Sequence, residues 1–300
     1  MIKKVFSLSD KKKKPGYIVP HSLKELWFHT GTLCNLHCAF CFEDSRPGDT
    51  RLEKISFDDV KPFIDEGTTL GVERISFTGG EPFVAKDLFS ILMYALEYCP
   101  CLVLSNGTDP LLKNLSYLKQ MLVKPHKLSF RISIDYPEEI AHDNGRGPGN
   151  FNKAVCSLKE LYQMGFKVSV ARHHNKDEIS GSVNKQYQTL FDSIGLPSDT
   201  PVIAFPDLLK PGARPESTMI SEDCMTRYHS EESRQEFMCA FSKMVIKQDG
   251  EMKVYACTLV DDDIAYDLGR NLKESMGAKV LLQHHRCMGC FAQGVSCSEG

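Results

Sequence analysis

Leu33-Cys34-Asn35-Leu36-His37-Cys38-Ala39-Phe40-Cys41-Phe42 is the stretch from which the rest of the chain is read. Its three cysteines stand at a Cys-x3-Cys-x2-Cys spacing. Thiolates are soft ligands that suit zinc or iron–sulfur clusters. Structural zinc sites use four protein ligands, usually as paired clips. Three thiolates on one tight loop leave a fourth metal position open. An open iron is a place for chemistry as well as for electron storage.

Outward from this loop, from Leu26 to about Phe205, strand-like and helix-like segments alternate. Leu26-Trp27-Phe28 is a short apolar run leading into the loop. A helix is expected from Ser56, with Asp58 and Asp59 in its first turn and Gly71 beyond its end. Arg74 to Phe77 reads as a strand. Asp87 reads as the cap of a helix carrying Leu88, Ile91, Leu92, Ala95 and Leu96. Leu102 to Leu104 is a strand stopped by Asn106-Gly107, and Pro110 opens a helix to about Val123. Leu128 to Ile134 alternates as a strand, and 135–149 reads as a polar, glycine-rich loop. A helix from about Asn152 to Met164 ends at Gly165. Val168 to Val170, a helix at about 182–194 and the strand Val202 to Phe205 complete the series. Such alternation argues for an α/β fold of parallel strands with helical crossovers. Ligands then bind at the carboxyl ends of the strands.

Polar motifs stand at those ends. The second strand is followed by Thr78-Gly79-Gly80-Glu81-Pro82, where paired glycines let backbone pass close to a ligand and Glu81 can fix the loop. The third is followed by Ser105-Asn106-Gly107-Thr108, suited to ribose hydroxyls. The fourth ends in Ser133-Ile134-Asp135, with His142 and Arg146 beyond it. The fifth is followed by Arg172-His173-His174, and Arg172 is a candidate to bind a substrate carboxylate or phosphate.

Three hundred residues fit one large α/β domain, with or without a small appendage. The net charge of −3 gives no general case for nucleic acid. No run of about 18 apolar residues indicates a membrane span. The basic start lacks the apolar region of a signal peptide, so the expected location is cytoplasmic. Lys11 to Lys14 read as a solvated arm. There are twelve cysteines, and in a reducing compartment they do not form a disulfide framework. Cys99, Cys101 and Cys156 lie in apolar periodic segments and read as core.

From Pro206 the pattern changes. Pro206, Pro211, Gly212 and Pro215 read as a connector, and Cys224 within it is a candidate substrate-facing thiol, with a structural thiol as the default. Beyond it, Lys243 to Ile246 and Lys253 to Cys257 flank Gln248-Asp249-Gly250, a hairpin signal. Cys239 and Cys257 bracket this hairpin, Cys287-Met288-Gly289-Cys290 supplies a Cys-x2-Cys clip, and Cys297 follows. By itself this set also suits structural zinc.

The cysteine loop, Gly79-Gly80-Glu81-Pro82 and Ser105-Asn106-Gly107, in that order on successive strand ends, resemble the radical S-adenosylmethionine (radical SAM) superfamily. The resemblance implies a partial (β/α)6 TIM-like barrel over 24–205. It is preceded by a flexible arm (1–23) and followed by a connector (206–235). A small cysteine-rich extension with a β-hairpin (236–300) closes the chain. It implies Cys34, Cys38 and Cys41 on three irons of a [4Fe-4S] cluster, with SAM chelating the fourth. It implies Phe40 near the adenine, Gly79, Gly80 and Glu81 at the SAM amine, Ser105 and Asn106 near the ribose, and Ser133 and Arg146 at the carboxylate. A low-potential donor of flavodoxin or ferredoxin type would reduce the cluster. SAM would then be cleaved to a 5′-deoxyadenosyl radical that abstracts hydrogen from a substrate C–H bond.

The last segment resembles the twitch or SPASM extensions of that family. Since only Cys297 follows Cys290, one auxiliary [4Fe-4S] cluster is expected on Cys239, Cys257, Cys287 and Cys290, with Cys297 as a further candidate ligand. A fully ligated cluster serves electron transfer, so a two-electron oxidation is expected. The substrate could be a small polar metabolite or a ribosomally made peptide. Only about 25 residues precede the first strand, too few for a peptide-recognition domain, which favours a small molecule. The reading of another class is a plain iron–sulfur electron carrier or a zinc-stabilised binding module.

Overall fold

The computed structural model describes residues 14–174, 180–206, 208–215 and 219–293. Its centre is an eight-stranded sheet in the order β7-β6-β5-β4-β3-β2-β8-β9. The strands are β2 (Glu25–His29), β3 (Arg74–Thr78), β4 (Cys101–Ser105), β5 (Leu128–Ser133), β6 (Lys167–His173) and β7 (Val202–Phe205), followed by β8 (Ser242–Gln248) and β9 (Glu251–Tyr255). From β2 to β7 every neighbouring pair is parallel, and β8 also joins β2 in parallel. Only β9 runs antiparallel. Among the described residues, β7 and β9 stand at the two ends of this order.

β2 explains the layering. Leu26 and Phe28 join the core under the crossover helices, whereas Trp27 joins a second core with Met244, Tyr255 and Cys257. Alternate residues of a strand face opposite sides, and all five residues of β2 are buried. Fully burying each large apolar side chain contributes about 1.5–3 kcal/mol. The helices α1 (Phe57–Thr69), α2 (Leu88–Ala95), α4 (Asn150–Gln163) and α5 (Ser180–Ile194) are crossovers; α3 (Glu139–Arg146) lies at the sheet's carboxyl edge.

Several expectations are corrected. Ser56 caps α1 in a capping box with Asp59. Asp87 makes no side-chain cap on α2; its carboxylate accepts instead from the Phe57 N–H of α1 (3.0 Å), so it caps its neighbour. The helix from Pro110 to Val123 breaks into Asp109–Leu112, Leu115–Leu118 and a 3-10 turn. Asn114 donates to Pro110 O (2.7 Å) at the break, a side chain competing with the helix ladder. Residues 135–149 contain α3 rather than only loop. Cys156 is exposed, while Cys99 and Cys101 are buried.

The first and last parts of the described chain are also built in. β1 (Tyr17–Ile18) pairs with β10 (Val280–Leu281), and Gly16 N–H donates to Ile220 O (2.7 Å), so 14–23 is not a free arm. Lys11 to Lys13 lie outside the described residues. The connector carries α6 (Glu222–Tyr228) and a short turn at Glu231–Arg234. The expected hairpin forms across Asp249-Gly250, but it extends the main sheet from β2 instead of standing apart. No helix among the described residues is long and apolar enough to cross a membrane.

Candidate active site

The cysteine loop is held by backbone bonds at both ends. Cys34 N–H donates to Arg46 O (3.3 Å), Cys41 N–H to Cys38 O (3.1 Å) and Ala39 N–H to Gly145 O (3.2 Å). The Gly79-Gly80 loop presses on it from β3. Gly80 N–H donates to Gly31 O (2.9 Å) and Glu81 N–H to Leu33 O (3.1 Å). A Cβ on Gly79 would lie 2.6 Å from Thr30 Oγ1, and one on Gly80 2.4 Å from Leu33 O. The glycine pair is therefore required by the contact between two loops.

A cavity of about 180 Å³ opens at these loops. Cys34, Cys38 and Cys41 line it, as do Phe40, Gly79, Gly80, Ser105, Asn106, Ser133, Arg146 and Arg172. Glu81 does not. It is fully buried, and its carboxylate accepts from Phe83 N–H (3.1 Å), Ser105 Oγ–H (2.9 Å) and Asn106 N–H (2.8 Å). Glu81 thus braces one strand-end loop against the next. Burial pushes its carboxyl up to about 7, and those three donors pull it back. Cys224 does not line the cavity either. It sits half-buried on α6, where Ser221 Oγ–H approaches its sulfur at 3.2 Å.

Burial pushes the Cys34 thiol up to about 12, and it raises Cys38 and Cys41 as well. Three thiolates placed here need a cation to offset desolvation and mutual repulsion. Two donors already face Cys34 Sγ: Leu36 N–H (3.4 Å) and Asn106 Nδ2 (3.8 Å). The donor set and its N–H···S contacts fit a thiolate-ligated cluster.

Phe40 stacks on His173, with ring centroids 5.5 Å apart, and the Arg146 guanidinium lies 5.5 Å above the same ring. At the SAM carboxylate, where the resemblance puts it, the Arg146 guanidinium is expected to offer a forked donor. Instead its Nε pairs with Asp135 Oδ2, and its Nη2 lies 3.4 Å from Oδ1. Asp135 also accepts from His173 N–H (3.1 Å). Arg172 is buried and donates to His173 O (3.3 Å).

Trp27, His29, Glu43, Ser45, Met244 and Thr258 also line the cavity and went unread in the sequence. The inward alternation of β2 was the available signal for Trp27 and His29; the others are brought in by tertiary structure. His29, Glu43 and Asp261 are buried, with ligand-type atoms within 4.8 Å of one another. The arrangement looks like a metal triad, but His29 Nδ1 accepts the Gly31 N–H (3.2 Å). Nε2 therefore carries the ring proton and faces Glu43 Oε2 at 3.5 Å. A neutral metal ligand needs that nitrogen bare; here it faces Glu43, while neither Asp261 oxygen has a hydrogen-bond partner among the described residues. Burial, then the Glu43 charge, push Asp261 up to about 7.

Cys239, Cys257, Cys287 and Cys290 line a second, apolar cavity with Phe237, Leu259 and Arg286. Cys287 on α7 (Cys287–Gln293) is pushed up to about 12, by burial first and then by Cys257. Burial likewise raises Cys239 well above its ordinary value. Lys243, buried beside them, donates to Cys239 O (3.1 Å). Burial pulls its ammonium down to about 8. Cys297 lies outside the described residues.

Residues 29–177 match the model of the Radical SAM superfamily. The chain is 31% identical to the Fe-coproporphyrin III synthase of Methanosarcina barkeri over 234 residues, 75% of this chain and 53% of that one. It is 34% identical to the antilisterial bacteriocin subtilosin biosynthesis protein AlbA of Bacillus subtilis over 140 residues, 46% of this chain and 30% of that one. It thus spans about half, or less, of the length of the curated relatives it matches. Among solved structures, Streptococcus suis SuiB bound to the precursor peptide SuiA superposes with a TM-score of 0.63. That alignment has 13% identity and covers 87% of this chain and 66% of the other. At that identity the likeness is one of fold.

Proposed function

This chain belongs to the radical SAM superfamily through residues 29–177, and from that premise we propose that it is an enzyme that oxidises a peptide substrate at a C–H bond. The carrying observation is that the cysteine loop and four other strand-end motifs line one cavity.

In this reading Cys34, Cys38 and Cys41 hold a [4Fe-4S] cluster whose open iron takes SAM. Bound together, cluster and SAM supply a 5′-deoxyadenosyl radical after one-electron reduction by a low-potential flavodoxin- or ferredoxin-type donor. The chain's own residues position and shield. Backbone groups of Gly79 and Gly80 take the amine of SAM. Ser105 and Asn106 take the ribose, with Glu81 fixing both. Phe40, with His173 and Arg146 beside its ring, lines the cavity where adenine would lie. Ser133 faces the carboxylate end, and Arg146 acts there through Asp135. The apolar part of the lining, with Trp27, Leu104 and Met244, helps to exclude water from a reactive carbon radical. Cys239, Cys257, Cys287 and Cys290, which line one cavity, would hold a second cluster, and it would supply an acceptor for the electron released on oxidation. Support for a peptide comes from SuiB, whose structure was solved with a precursor peptide, and from the bacteriocin biosynthesis relative.

The test is anaerobic reconstitution. Reduced protein given SAM should yield 5′-deoxyadenosine; none would sink the reading. In the variant Cys34→Ala/Cys38→Ala/Cys41→Ala, about four irons should remain, since four thiolates ligate such a cluster. Zinc without iron there would remove the second cluster.

A further inference from the structure

The cavity has two unlike ends. The polar strand ends of β3 to β6 form one. The other is formed by Trp27, Leu104, Phe205, Leu208 and Met244, which pack in one apolar core; Ser45 and His29 also line the cavity. Two atoms here are buried without a hydrogen-bond partner among the described residues, Trp27 Nε1 and Ser45 Oγ. Trp27 and His29 are two apart on β2 and share its inward face, but His29 Nε2 already faces Glu43 Oε2 at 3.5 Å. Both unmet atoms can donate, and the indole N–H does nothing else. Buried donors without an acceptor are destabilising, so this end is built for something that brings an acceptor oxygen.

Charge narrows what that is. Glu43 and Asp261 lie beside His29, so a phosphate or carboxylate here would meet two buried acids. Arg146 is committed to Asp135, and Arg172 donates to His173 O, both on the β5–β6 side. A neutral carbonyl satisfies the donors without that repulsion, and the surrounding wall suits an aliphatic or aromatic group. An apolar peptide residue brings both.

We propose that this end of the cavity is the substrate subsite. It takes an apolar residue of a peptide, the side chain against Leu104, Phe205, Leu208 and Met244 and the backbone carbonyl on Trp27 Nε1–H and Ser45 Oγ–H. The inference rests on the peptide-oxidising reading and specifies which residue type is presented to the radical.

Trp27 is the only tryptophan, so the full reconstituted chain grown with 5-fluorotryptophan carries one fluorine reporter, at the subsite. With SAM present, N-acetyl-L-phenylalanine amide and N-acetyl-L-leucine amide should each shift its ¹⁹F resonance saturably. Ser45→Ala should weaken that binding about fivefold, the usual effect of one hydrogen bond. GTP and coproporphyrin III serve as nucleotide and tetrapyrrole probes. The proposal is overturned if neither amide moves the signal, if GTP or coproporphyrin III moves it at lower concentration than the amides, or if Ser45→Ala binds the amides unchanged while retaining wild-type iron. Reduction of the same sample separates the two levels. 5′-Deoxyadenosine formed beside an unmoved resonance defeats the subsite alone, whereas no 5′-deoxyadenosine defeats the radical-enzyme reading.

Discussion

Replacing Glu81 by Gln isolates what the brace contributes. Glu81 is fully buried, and its two oxygens receive three donors. Gln keeps an acceptor toward Phe83 and Ser105 and turns an NH2 toward the Asn106 N–H. One charge-assisted bond is lost, at a cost of about 1.5–3 kcal/mol. The carboxyl is held at about 7, against an ordinary 4.5, chiefly by burial. The folded chain therefore binds this proton more tightly than the unfolded chain. Its contribution is fully present below about 4.5, is lost as pH rises through about 7, and is level above that. The displacement corresponds to about 3 kcal/mol at about 1.4 kcal/mol per tenfold. Gln has no such titration. The stability difference between the wild type and Glu81→Gln should thus be largest near pH 4.5 and narrow by about 3 kcal/mol towards pH 8. The measurement is urea unfolding of both metal-free chains, reduced and chelated, at a series of pH values. Taking the difference cancels other buried acids, Asp261 among them, because distant effects add. Parallel pH profiles, or a difference that widens with rising pH, would refute the reasoning.

Other consequences can be checked as directly. Gly80→Ala puts a methyl 2.4 Å from Leu33 O; it should lower iron incorporation at the cysteine loop and SAM affinity by tenfold or more, read by iron assay and equilibrium dialysis. Gly145→Ala places a Cβ 2.2 Å from Phe40 Cε1 and should weaken SAM binding several-fold while leaving iron content at the wild-type level. Asp261→Asn removes a buried acid raised by Glu43 and should stabilise the chain at pH 8 by about 2 kcal/mol and by little at pH 5; an unfolding series at both pH values decides. Thiols held above their ordinary value must lose protons to bind metal. Metal uptake by the apo chain should accordingly fall steeply from pH 8 to pH 6.5 and release protons, measurable by calorimetry in buffers of different ionisation enthalpy.

Much of this was legible because it is local. Alternation within Leu128–Ser133, the Asp249-Gly250 turn and the cysteine spacing each carry their signal in adjacent residues. The Gly79-Gly80 loop was legible as a close-approach element, though the partner is another loop as well as a ligand. What escaped depends on contacts distant in sequence. Asp87 reads as a cap for the helix it precedes, yet the nearest open helix end belongs to α1. The glycines between 145 and 149 disguise α3, whose end docks on Phe40. Arg146 looked like an open fork because its pairing with Asp135 requires α3 to fold back over the strand end. Trp27 and Ser45 became visible as site residues only when their unmet donors were found on one cavity wall.

The union of β2 with β8 bears on the order in which the molecule is assembled. Strands β2 to β7 are bonded in chain order, so those six strands can form as the chain leaves the ribosome. The other side of β2 remains an open edge until Ser242 to Val245 arrive. That edge carries Leu26, Trp27 and Phe28, the kind of apolar strand that pairs with foreign chains when left uncovered. Pairing across so long a stretch of chain is also slow. The segment that brings Cys239 and Cys257 thus completes the hydrogen bonding of the strand that leads into Cys34, Cys38 and Cys41. Nascent chains truncated before β8 should aggregate through β2, and late closure of this edge is where a chaperone would act.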